Sequence, residues 1–256
     1  MPSPFDDFVR RHGATPRRGL YGLLVHDIGR RIVGGEFPAC ATLPNEDELI
    51  ARFRVSRTTF REVMKTLAGK GLVEIRPKTG TRVREHAQWH HIDPDIMVWY
   101  YETGPSQAVL DALRDVRRIL EPAAAARAAE RAGNADIACI EAAYAAMCRG
   151  VEDPPAYGEA DRAFHTAIFA ATGNFILSRL IDVIAIGIYG NAVAATAAVI
   201  PKLRASLPFH AALLDAIRAG NPAAAEAAAR RLLDDWHPEA GRVSRALAAP
   251  TEVQTL

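Results

Sequence analysis

The chain has little with which to cross-link itself: among 256 residues there are three cysteines, Cys40, Cys139 and Cys148. The number is odd and no two stand in a CxxC or zinc-knuckle spacing, which argues against a disulfide framework and a structural zinc. They are expected to be small buried apolar residues. Long apolar runs are also missing. None reaches the ~18 to 20 residues that cross a bilayer, and the opening MPSPFDDFVR lacks the charged-then-apolar order of a signal peptide. A soluble cytoplasmic protein is expected. No HExxH motif and no obvious activated nucleophile stand in the sequence. The hydrophobic fraction of 49% suffices for real cores, and the length suggests two unequal domains.

An overall excess of charge is absent too, the net being +1, but this average conceals a split. Residues 1–84 hold 16 Lys and Arg against 9 Asp and Glu, net +7, and the remainder holds 15 against 21, net −6. A basic head that binds a polyanion, joined to an acidic body, fits that division.

The head has a readable order. RGLYGLLVHDIGRRIVGGEF spaces Leu24, Ile28 and Ile32 along one side of a helix that stops at Gly34-Gly35. LPNEDELIARF opens a short helix with Asn45 and Glu48 in a capping-box pattern. Ser56 then caps a third helix, whose Phe60, Val63, Met64 and Leu67 fall at i, i+3, i+4 and i+7. Its other face carries Arg57, Thr58, Arg61 and Lys65, with Glu62 alone breaking the positive sign. Two alternating segments, GLVEIRP and GTRVRE, flank a KTG turn. Helix, helix-turn-helix and ribbon make a winged helix-turn-helix, in which the third helix enters the major groove and the ribbon tip reaches the backbone or minor groove. Arg57 and Arg61 suit guanine edges, Thr58 and Thr59 suit bases or phosphate, and Lys65 and Lys78 suit phosphate.

LPNEDELIARFRVSRTTFREVMKTLAGKGLVEIRPKTGTRV resembles the DNA-binding domain of the GntR family of bacterial transcription regulators. The resemblance implies operator contacts from Arg57, Thr58, Thr59, Arg61 and the wing near Lys78 and Gly80. Relatives that bind fatty-acid operators carry arginine at the position of Asp47, so a different operator sequence is expected.

Residues 18–84 are thus read as the DNA-binding domain, 85–106 as a linker and 107–245 as a second domain. The linker gathers His86, His90 and His91 without regular ligand spacing, and reads as a hinge whose aromatics pack on a domain. The second domain is alanine-rich, with stop-and-restart signals at Gly133-Asn134, Asp153-Pro154-Pro155, Gly173-Asn174, Ile200-Pro201 and Gly220-Asn221-Pro222. Six antiparallel helices in a bundle are expected, so the whole protein is mainly α. Bundles place ligand and metal sites in their interior.

Within it, Asp161 and His165 are four residues apart, hence on one helix face. His210 is in register with Leu213, Leu214 and Ile217, and Arg117 adjoins the line Leu113, Val116 and Leu120. Two inward histidines with an aspartate suit a divalent ion. Residues 107–245 resemble the effector domain of the FadR branch of GntR regulators, known as the FCD type. The resemblance implies metal ligation by Asp161, His165 and His210, a carboxylate effector paired with Arg117, and an effector contact from Asn174. The branch's last histidine is replaced by Leu232, and His237 is rotated ~140° from it on an ideal helix. A bound zinc, nickel or manganese and a metal-free site in which the same side chains hold effector hydroxyls both remain open.

The linker segment QWHHIDPDIMVWYYE resembles that of sugar-acid-responsive members of the branch. The functional expectation is a homodimeric, non-enzymatic regulator, most simply a repressor, that reads a near-palindromic operator and responds to a sugar acid or other carboxylate. Two rival readings are a metal-dependent hydrolase-like enzyme on a DNA-binding head, and an architectural DNA-binding dimer with a passive bundle.

Overall fold

The structure, a computed structural model, describes residues 19–76, 80–181 and 200–235. Lys78 and His237 lie outside the described residues. The chain divides into two units, Met1–Gly104 and Pro105–Leu256.

The first unit contains α1 (Gly19–Val33), α2 (Glu46–Phe53), α3 (Arg57–Gly69), β1 (Val73–Arg76), β2 (Gly80–Val83) and α4 (Pro94–Thr103). Leu24, Ile28 and Ile32 are buried on α1, which ends where Gly35 takes φ 83°. The Asn45 Oδ1 accepts from Glu48 N at 2.8 Å and the Ser56 Oγ accepts from Thr59 N at 3.1 Å, so each cap supplies an acceptor to an otherwise unpaired helix N–H. α3 buries Phe60, Val63, Met64 and Leu67, the four residues of its apolar stripe. The turn between α2 and α3 contains no glycine; Arg54 adopts the left-handed conformation, φ 52°, and its N–H donates to Ile50 O. β1 and β2 pair antiparallel, with Val73 opposite Val83 and Glu74 opposite Arg82. Thr42 bridges to Arg82 on the outer side. This is the winged helix-turn-helix that the sequence pattern predicts.

The stretch read as a linker is structured. A short 3₁₀ turn at His86–Gln88 precedes α4, where Asp93 caps the helix and Pro94 fills its first turn. α4 packs on α1. Trp99, 1% exposed, lies over Gly29 and donates its indole N–H to His26 Nδ1 at 2.9 Å. A second tie comes from Lys70, just past α3, whose ammonium pairs with Asp93 at 3.0 Å and Asp95 at 2.7 Å. Burial alone would lower the Lys70 pKa, but the two carboxylates outweigh it and raise it. Replacing Lys70 with methionine keeps the stem and deletes the charge beside a buried Asp95. The first unit is then expected to lose about 2–4 kcal/mol in urea unfolding; an unchanged midpoint would show that these ion pairs add nothing to folding.

The second unit contains α5 (Gln107–Arg131), α6 (Asn134–Gly150), α7 (Pro154–Ala171), a helical stretch at 175–181, α8 (Ile200–Arg218) and α9 (Pro222–Asp235). It is an all-helical bundle. Its core interleaves Ala128, Ala225 and Ala229 with Ile140, Met147, Phe164, Ile168, Leu203 and Leu213; the small alanines allow helices to approach closely, and the large residues fill the space between them.

One expectation needs correction, and two helices are longer than spacing alone marks. α8, described from Ile200 onward, runs through Pro208. Ser206 is a buried mid-helix residue whose hydroxyl donates to Leu203 O at 2.9 Å. α7 starts at Pro154, at the restart signal Asp153-Pro154-Pro155, because Asp153 caps it by accepting from Ala156 N. All three cysteines are exposed rather than buried. Among the described residues no helix is long and apolar enough to cross a membrane.

Candidate functional site

The second unit brings Arg117 and Glu121 of α5, Asp161 and His165 of α7 and His210 of α8 into one polar cluster inside the apolar core. One potential ligand atom from each of Asp161, His165 and His210 lies within 4.8 Å of the others. The two histidines are buried at 4% and 3% exposure. The Phe164 ring meets both edge-on, at 5.7 and 5.3 Å between centroids.

Proton placement follows from the fixed partners. His210 Nδ1 is 2.9 Å from Ser206 O. A carbonyl can only accept, so Nδ1 carries the hydrogen and Nε2 of the neutral ring is a lone pair. That lone pair lies 3.0 Å from Asp161 Oδ1, yet it makes no hydrogen bond and is fully buried. Two acceptors directed into one small space repel unless a cation or a proton lies between them. His165 repeats the arrangement. Its Nδ1 is 3.2 Å from Glu121 Oε2, which leaves Nε2 facing Asp161 Oδ1 at 3.8 Å.

This donor set, two imidazole nitrogens and one carboxylate, can coordinate a divalent metal. Each histidine has its far nitrogen fixed by a carbonyl or carboxylate, the outer support that orients histidine ligands. The charges agree. Burial would raise the Asp161 pKa, but a proton shared with His210 Nε2, together with His165 and Arg117, outweighs it and holds the carboxyl below its ordinary value. Burial would lower the His165 pKa, but Glu121 and Asp161 outweigh it and raise it. The negative potential that favours a proton on that ring favours a metal cation equally. Leu232, where the branch's fourth ligand would stand, is buried in the apolar core and supplies no donor, so among the described residues the candidate ligands are these three.

Glu121 is the residue that sequence reasoning missed. It is 4% exposed and accepts from Arg117 Nε at 2.5 Å. Burial would push its carboxyl up, but Arg117 and His165 outweigh that and hold it well below the usual carboxylate range. The available signal was the i, i+4 spacing from Arg117, which on most helices marks a solvated surface pair. Among the described residues the two terminal nitrogens of Arg117 take no hydrogen bond, so the side of the guanidinium beyond Glu121 can receive a carboxylate. Tyr157 joins α7 to α8 by donating to Ser206 Oγ at 2.6 Å. Asn174 is exposed, and its Oδ1 caps the stretch that follows, accepting from Ile176 N and Leu177 N.

In the first unit, Arg57, Thr58, Arg61 and Lys65 are exposed on the face of α3 opposite its buried stripe. Thr59 is half-buried, its hydroxyl 2.9 Å from Ser56 Oγ. Gly80 opens β2 with φ 85°.

A winged helix-turn-helix followed by a helical bundle with an interior polar site defines a ligand-responsive, DNA-binding transcription regulator. The chain belongs to the GntR family: residues 20–83 match "Bacterial regulatory proteins, gntR family" and residues 112–235 match the "FCD domain". It is similar to the galactonate operon transcriptional repressor of Escherichia coli K12, 34% identical over 213 residues, covering 82% of this chain and 92% of that one. It is also 29% identical over 166 residues to the Glc operon transcriptional activator of the same organism, covering 63% and 64%. Among solved structures, Lar of Listeria monocytogenes shares the fold, with a TM-score of 0.59, 18% identity and coverage of 90% and 98%. The chain is therefore a regulator and not an enzyme, and both the hydrolase and the purely architectural readings are set aside.

Proposed function

We propose that the chain is a cytoplasmic, homodimeric repressor of an operon for sugar-acid catabolism, released from its operator by a sugar acid. The observation that carries this reading is the buried cluster of Asp161, His165, His210 and Arg117. A polyhydroxy carboxylate offers an anionic end for the free side of Arg117 and neighbouring oxygens for a zinc, nickel or manganese ion held by the other three. The 34% identity to a galactonate operon repressor supports the same substrate class and the same sign of regulation. Arg57, Thr58, Thr59, Arg61, Lys65 and the wing near Lys78 and Gly80 are assigned to DNA. Two such heads on a dimer would read two half-sites of a near-palindrome. Release requires that the effector bind one arrangement of the dimer better than the other.

Thermal-shift measurements against aldonic, uronic and dicarboxylic acids, each with and without chelator, test the effector site. An aldonic acid at 100 times its dissociation constant should stabilise the protein by about 2.7 kcal/mol, and chelator or His210→Ala should reduce that shift. No shift with any acid would overturn the reading. For DNA, selection from a random duplex library provides the probe. Arg57→Ala/Arg61→Ala should weaken binding of the enriched duplex by about two orders of magnitude; retardation equal to wild type would remove the recognition-helix assignment.

A further inference from the structure

The arginines assigned to base reading already hold partners. Arg57 Nη2 lies 2.7 Å from Asp47 Oδ1 and its Nη1 lies 4.0 Å from Glu46 Oε1. Arg61 donates from Nε to the same Glu46 oxygen at 3.1 Å. Glu46 and Asp47 are the first two residues of α2, and Arg57 is the first of α3. A carboxylate in the first turn is favoured by the helix dipole, which explains acidic residues there. It does not explain their reaching across the turn to α3. Asp47 is 72% exposed and Arg57 63%, so the pair faces water and contributes little to folding. Its consequence falls on whatever approaches that face.

We infer that Asp47 is a specificity-determining residue, which positions the Arg57 guanidinium and opposes non-cognate DNA; this rests on the assignment of Arg57 to the operator. A phosphate arriving at Arg57 must displace a carboxylate of the same charge while standing beside both Asp47 and Glu46. A guanine edge supplies two acceptors without a full negative charge, and so replaces Asp47 at smaller electrostatic cost. Discrimination thus comes from a repulsive element as well as an attractive one. Sequence position alone suggested a different operator; the ion pair adds a mechanism by which this side chain acts when it touches no base.

The test compares the library-enriched duplex with a shuffled duplex of equal composition, over a salt series. Asp47→Ala should raise affinity for the shuffled duplex several-fold and lower the ratio of specific to non-specific binding by about ten-fold. Its non-specific salt slope should steepen by about one phosphate contact, as the freed Arg57 reaches the backbone. Asp47→Glu should keep the ratio. In an Arg57→Ala background, Asp47→Ala should leave the ratio unchanged, because the arginine it positions is gone. If Arg57→Ala weakens the enriched duplex but Asp47→Ala moves neither ratio nor slope, the inference fails while the operator assignment stands. If Arg57→Ala changes nothing, or the wild type enriches no sequence, the assignment itself fails.

Discussion

Gly29→Ala is expected to destabilise the first unit by about 2–3 kcal/mol, although the same change favours most helices. Gly29 lies in the interior of α1, where alanine is intrinsically better by about 1 kcal/mol. Here the added Cβ would fall 2.3 to 2.6 Å from Cη2, Cζ3 and Cζ2 of Trp99, well inside van der Waals contact. The ring cannot swing away cheaply. It is 1% exposed, and its other edge is fixed by the hydrogen bond to His26, whose Nε2 lies 3.3 Å from Glu102. Overpacking against a held, buried ring outweighs the propensity gain. A loss of that size lowers the melting temperature of a domain of roughly 100 residues by about 10 °C or more. Trp99→Phe removes the obstructing ring, so in that background Gly29→Ala should cost much less, a coupling that a double-mutant cycle reads directly. Gly29→Ala at wild-type stability would mean that α4 does not press on α1 as described.

That contact also marks where reading the sequence stops. Periodicity identified the buried faces of α1 and α3, because one helix determines which of its own residues share a side. Asn45 and Ser56 were legible as caps for the same reason, since a cap acts on an N–H three residues away. Asp161 and His165 could be placed on one face, and His210 among apolar neighbours of its own helix. Their convergence depended on the packing of separate helices, and here the family pattern supplied what spacing could not. Three features needed the tertiary structure. Trp99 covers Gly29 across 70 residues of chain, so nothing local marks that glycine as a contact. α8 continues through Pro208, although proline removes a helical hydrogen bond, because Leu203, Leu213 and Leu214 pack in the bundle core. Glu121 reads as half of a surface pair because its burial is set by α7, through His165.

Glu121→Ala should therefore affect folding and metal binding together. The carboxylate serves two donors, Arg117 Nε at 2.5 Å and His165 Nδ1 at 3.2 Å. Deleting it leaves a buried guanidinium without its hydrogen-bonded counter-ion, an effect of about 3–5 kcal/mol when one member of a buried pair is removed. It also frees the His165 ring to change tautomer and orientation, so that Nε2 is no longer held toward Asp161. Loss of such an outer support weakens metal affinity by about 10- to 100-fold. Glu121→Gln separates the two effects. The amide preserves volume, and its oxygen can accept from one donor, but its NH₂ then faces the other. Stability should fall less than with alanine, whereas zinc or nickel affinity should fall nearly as far. Calorimetric titration of each metal into chelator-treated protein, paired with urea unfolding of the same samples, gives both quantities. Metal affinity equal to wild type in Glu121→Gln would show that His165 needs no partner at Nδ1, and that Glu121 serves only to neutralise Arg117.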